Sequence, residues 1–129
     1  MHGARPEAER RETKFRQAAF VYLHITVLYE AAAWVMWRHG MLPTRFGPAW
    51  IWLVVGLGVG ISVFVLLLLV RRPWVPRAVW FVHGLRLPAL IDGAYFAGEA
   101  GRVVPAFYMT ALVAVVVNLW MLARAGWDL

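Results

Sequence analysis

Cysteine is missing from the 129-residue chain. Its absence removes disulfides, thiolate metal sites, thiol catalysis and covalent c-type haem attachment together, and leaves the redox compartment unread. Acidic residues are scarce, with 7 Asp and Glu against 13 Lys and Arg. No pair of carboxylates is spaced for glycoside chemistry, and HExxH, GxSxG and Walker A patterns are also lacking. Internal repeats and low-complexity tracts are absent as well. Polar stripes of the kind a water-soluble helical bundle needs are missing too. Between Ile61 and Val70 the only interruption is Ser62.

What is present is apolar. Hydrophobic residues make up 62% of the chain and charged ones 16%, too greasy for an ordinary soluble domain. Four windows, residues 18 to 37, 48 to 70, 76 to 97 and 103 to 123, are each long enough to cross about 30 Å of hydrocarbon at about 1.5 Å per residue. The connections are short and rich in turn chemistry: Gly40 to Gly47 with Pro43, Arg71 to Pro73, and Gly98 to Arg102 before Pro105. The sequence therefore predicts an all-α integral membrane protein. It is a single domain of four transmembrane helices in an up-down-up-down bundle.

Basic residues orient it. Nine flank one side, among them Arg10, Arg11, Lys14, Arg71, Arg72 and Arg124, whereas Arg38, Arg45 and Arg102 flank the other. The positive-inside rule then places both termini in the cytoplasm of a bacterial-type plasma membrane. Two tryptophan belts agree: Trp34, Trp37, Trp50 and Trp52 outside, and Trp74, Trp80, Trp120 and Trp127 inside. The net charge of +6 is explained by anionic headgroups, and no groove-reading motif points to nucleic acid. The first window is longer than a signal-peptide core and no small-residue cleavage pattern closes it, so it is expected to be retained. Ahead of it, residues 1 to 16 form a polar segment that reads either as a short headgroup helix or as a solvated tail.

Inside the spans, a few polar residues stand out. Arg86 lies mid-way along the third window, where a guanidinium needs a partner, a wet cavity or a ligand. Gly84, Pro88 and Gly93 surround it and predict a kink, since Pro88 has no amide hydrogen and displaces the Gly84 carbonyl. His24 and His83 are level, each about 5 Å cytoplasmic of its span's centre. Matched depth allows two neutral imidazoles to ligate one haem b iron, although a histidine bonded to the backbone or a side chain is the simpler expectation.

Glu30 lies about 4 Å outward of its helix centre and at the depth of Arg86, where an ion pair would neutralise both. Thr26 and Tyr29 are placed to support it. Asp92 sits about 9 Å outward of Arg86, as a rim charge. Asn118, with Thr110 and Ala114, suggests interhelical glue, and Gly56 and Gly60 suggest close helix approach within the chain or to another subunit.

These features fit three roles. The first is an accessory subunit of a larger membrane complex, with heterologous membrane-protein partners. The second is an intramembrane binder of haem b, a quinone or a lipid at His24, Glu30, His83 and Arg86. The third is a small homodimeric transporter using the same site.

Overall fold

A computed structural model describes residues 4 to 40, 49 to 96 and 103 to 129. Every regular element among them is helical: α1 Ala4–Arg38, α2 Ala49–Leu69, α3 Trp74–Gly84, α4 Leu87–Phe96 and α5 Val103–Trp127. Three of them, α1, α2 and α5, are long and apolar enough to cross a membrane. The loops expected at Gly40 to Gly47 and Gly98 to Arg102 lie mostly outside the described residues. The Arg71 to Pro73 turn is seen, with Arg71 in the left-handed region at φ 51°.

The polar N-terminal segment is not a separate piece. It continues into the first span as one helix of 35 residues, about 52 Å long at ~1.5 Å per residue. Glu7 and Arg11, and Glu12 and Arg16, are spaced i, i+4, and such pairs favour helix. Arg10 Nε also donates to the Pro6 carbonyl at 3.3 Å. At the far end α1 stops where Gly40 takes φ 70° and its amide bonds to the Trp37 carbonyl at 2.9 Å, a conformation open to glycine at little cost.

The third window departs from an uninterrupted span. It is two helices of 11 and 10 residues, about 17 and 15 Å long, so neither crosses a bilayer alone. At the break the Arg86 amide bonds to the His83 carbonyl at 3.1 Å, one residue short of helical register. Pro88 supplies no amide hydrogen for Gly84, and the helix restarts at Leu87 with proline in its first turn, where proline is tolerated.

α5 is the hub. It packs against α1, α3 and α4, while α2 packs along α1 and touches α3 only sparsely. One end is pinned by polar contacts: Lys14 pairs with Asp128 at 2.7 Å, Arg71 with Glu12 at 3.1 Å, and Arg77 Nε donates to the Gly126 carbonyl at 2.8 Å. Glu12 and Lys14 of α1 and the end of α5 thus gather around the α2–α3 turn and the start of α3. Above these contacts Phe15, Ala18, Leu67, Val75 and Leu122 form a core drawn from four helices. A second cluster joins Leu90 of α4 to Ala111, Val115 and Leu119 of α5.

Small residues set the closest approaches. A Cβ at Gly60 would fall on the Thr26 methyl, and one at Gly56 on the Glu30 carboxylate. The glycine face of α2 therefore serves α1 of the same chain. Large apolar side chains elsewhere point outward, including Val54, Leu69 and Leu85, the last 82% exposed. A hydrocarbon solvent is the environment in which such a surface is stable.

Candidate functional site

The helix periods of α1 and the break in α3–α4 converge on one cavity of about 710 Å³ between α1, α2, α3 and α5. Its walls are mostly aliphatic, with Val59 and Val63 from α2, Val79 and Val82 from α3, and Ala114 and Val115 from α5. Polar groups enter from three helices. α1 contributes Tyr22, Thr26, Tyr29 and Glu30, the break contributes His83 and Arg86, and α5 contributes Thr110 and Asn118.

The tightest polar contact joins Tyr22 to His83, with the phenol oxygen 2.9 Å from Nε2. The rings meet edge to face at 5.2 Å. The Thr26 side chain also hydrogen-bonds to Tyr22, so the phenol sits between Thr26 and His83. His83 Nδ1 is buried with no hydrogen-bond partner among the described residues, and the same holds for Oδ1 of Asn118, a residue only 2% exposed. In the antiparallel register of α3–α4 and α5, Arg77 meets Gly126 and Gly93 meets Tyr108. His83 and Asn118 therefore lie at about the same level of the cavity.

Arg86 lies about one turn further along. Its guanidinium carbon stands 4.8 Å from the centroid of Tyr29, a cation–π contact. The expected partner, Glu30, lines the same cavity and has its carboxylate against Gly56, on the α2 side.

His24 corrects a second expectation. It is exposed on the opposite face of α1, with Nδ1 2.6 Å from the Phe20 carbonyl, and it does not line the cavity. His83 lines the cavity and His24 lies outside it, so the two do not face a common iron. No group of three or more metal-ligating side chains occurs among the described residues. Asp92 and Pro88 are exposed on α4 and do not line the cavity. Thr26 and Tyr29 do.

Tyr22 is the residue that the sequence reading passed over. Its signal was helical phase: Tyr22, Thr26 and Tyr29 follow i, i+4 and i+7 on one face, whereas His24 is rotated from Tyr22 by about 200°. Asn118 lines the cavity as well, its carbonyl oxygen buried with no hydrogen-bond partner among the described residues. Comparison with known proteins returned nothing to place beside this geometry: no family model, no curated protein and no solved structure matches the chain.

Proposed function

We propose that the chain is a small integral membrane protein that binds an amphiphilic molecule within the bilayer. It crosses four times, the third crossing being the broken α3–α4 pair, with both termini cytoplasmic. The cavity carries this reading. Its volume of about 710 Å³ falls in the ~300–1,000 Å³ range of small-molecule sites, and it combines apolar walls with a few convergent polar groups. The sparse contact between α2 and α3 supports entry from the lipid side, because Val59 and Val82 line the cavity and are both exposed.

Four crossings are supported by length and by the pinned end. Together α3 and α4 run from the end that holds Lys14 and Asp128 to the end beyond Gly93. The excess of basic residues at that pinned end supports its cytoplasmic placement.

The test is photolabelling in vesicles with a diazirine-bearing fatty acyl lipid, mapped by mass spectrometry. Label is expected on cavity residues such as Val59 and Val82, and Ala114→Trp should suppress it by filling the space. Labelling confined to outward residues such as Leu69 and Leu85, and unchanged by Ala114→Trp, would refute the binding role.

A role as accessory subunit is the second reading. Gly58 favours it, since it faces outward with nothing within 4 Å of a Cβ placed there, which leaves room for a foreign helix. Native mass analysis after mild extraction should then show heterologous partners. A homodimer or lone monomer that retains the bound amphiphile would count against it.

A further inference from the structure

The pinned end of α1 and α2 offers a site separate from the cavity. A second hollow of about 80 Å³ opens between these helices, lined by Glu12, Phe15, Arg16, Leu67, Leu68 and Arg71. Phe15 and Leu67 are buried and form its apolar floor. Arg71 is held in place: its Nε donates to the Leu68 carbonyl at 3.0 Å, and its guanidinium pairs with Glu12 at 3.1 Å. Arg16 is exposed on α1, and the ion pairs among the described residues, Lys14–Asp128 and Arg71–Glu12, leave it without a carboxylate. Two guanidinium groups against one carboxylate give the hollow a net positive charge, and Arg72, exposed beside Arg71, adds to it. One to two turns further into the bilayer, Phe20 and Phe64 meet edge to face at 5.2 Å, and Phe20 is 44% exposed.

Arg16 and Arg71 are the charged residues that border the apolar stretches of α1 and α2, so both stand where hydrocarbon gives way to head groups. Guanidinium forks match phosphate oxygens in shape and charge. We propose that this groove binds an anionic phospholipid of the leaflet at that end, with the phosphate between Arg16 and Arg71 and an acyl chain along Phe20. The site shares no residue with the cavity, so either can fail alone. A zwitterionic lipid brings the same phosphate, but its ammonium group meets the net positive charge of the hollow and Arg72. The anionic lipid therefore binds more tightly. A free phosphate ion has the charge but no chain to lie along Phe20.

The experiment titrates the full chain in dodecyl maltoside with dioleoyl phosphatidylglycerol or dioleoyl phosphatidylcholine and counts bound lipid by native mass spectrometry. Phosphatidylglycerol should bind about tenfold more tightly than phosphatidylcholine. Arg16→Gln should lower phosphatidylglycerol affinity about tenfold, the effect of losing one charge-assisted hydrogen bond. Arg10→Gln removes the same charge from the same end of α1 but lies outside the hollow, and it should change affinity less than about twofold. Equal binding of the two lipids, or equal losses in Arg16→Gln and Arg10→Gln, would overturn the site and leave only diffuse attraction. Displacement of phosphatidylglycerol by millimolar inorganic phosphate would overturn the lipid assignment, whereas binding that survives it supports the acyl contact. Arg16 is exposed, so its replacement does not threaten folding, and the comparison of lipids needs no variant at all.

Discussion

Gly60→Ala and Gly58→Ala should move stability in different directions, although the two sites are two residues apart on α2. Both substitutions remove the same backbone freedom, and in a helix interior that change stabilises by about 0.5–1 kcal/mol. The difference lies in what the new methyl meets. At Gly58 nothing is within 4 Å, whereas at Gly60 the methyl would fall on Thr26 Cγ2. Threonine is β-branched and stiff at χ1 in a helix, so the overlap must be relieved by moving α1 away from α2. Overpacking of this kind costs about 1–3 kcal/mol. The glycine term cancels between the two variants, so Gly60→Ala should fall below Gly58→Ala by that same ~1–3 kcal/mol. Reversible unfolding in mixed micelles, followed by tryptophan fluorescence, measures the gap. A double-mutant cycle with Thr26→Ala should recover most of the loss, because the two side chains couple directly. Equal stability of the two alanine variants would refute intramolecular packing of the glycine face and return it to a lipid or subunit contact.

Leu67→Ala should destabilise by about 2–5 kcal/mol, as expected for a cavity in a core, because Leu67 is fully buried where four helices meet. Leu85→Ala, at an 82% exposed site, should change stability by less than about 0.5 kcal/mol in the same assay. Asp128 has its carboxyl held below the usual 3.8 by hydrogen bonding to Lys14, then by the charges of Lys14, Arg11 and Arg10. A depressed folded-state value means that the Lys14–Asp128 contact stabilises above pH 3.8 and is lost as pH falls through the folded value. Amide exchange of the last turn of α5 should quicken over that acidic window, and Asp128→Asn should abolish the dependence. Pro88→Ala restores an amide hydrogen for the Gly84 carbonyl, so exchange at residues 87 to 90 should slow and cavity photolabelling should fall as Arg86 is re-aimed. Unchanged protection would assign the break to Gly84 and packing instead of proline.

The membrane-type composition was legible because hydropathy over a long window depends on residue content alone. Side-chain exposure gives the reason it worked: Val54, Leu69 and Leu85 point away from any protein core. Element boundaries were less legible. The polar start of α1 looked like a separate segment, yet its i, i+4 charge pairs carry the helix straight through. In the third window Gly84 and Pro88 announced a kink, but a full break depends on where the Arg86 amide finds its acceptor, and hydropathy has no term for that. The glycines of α2 announced a close approach without naming the partner, which Thr26 and Glu30 of α1 supply.

The site shows the same division between depth and direction. Depth follows from counting residues, and it suggests that His24, His83, Glu30 and Arg86 lie near one another along the membrane normal. Direction follows from helical phase at about 100° per residue, and it separates His24 from the cavity while bringing Tyr22 in. Arg86 shows what direction adds. Its guanidinium rests on the face of Tyr29, a contact worth about 0.5–2 kcal/mol, so helical phase sets the neighbour of the cation as well as the lining of the cavity.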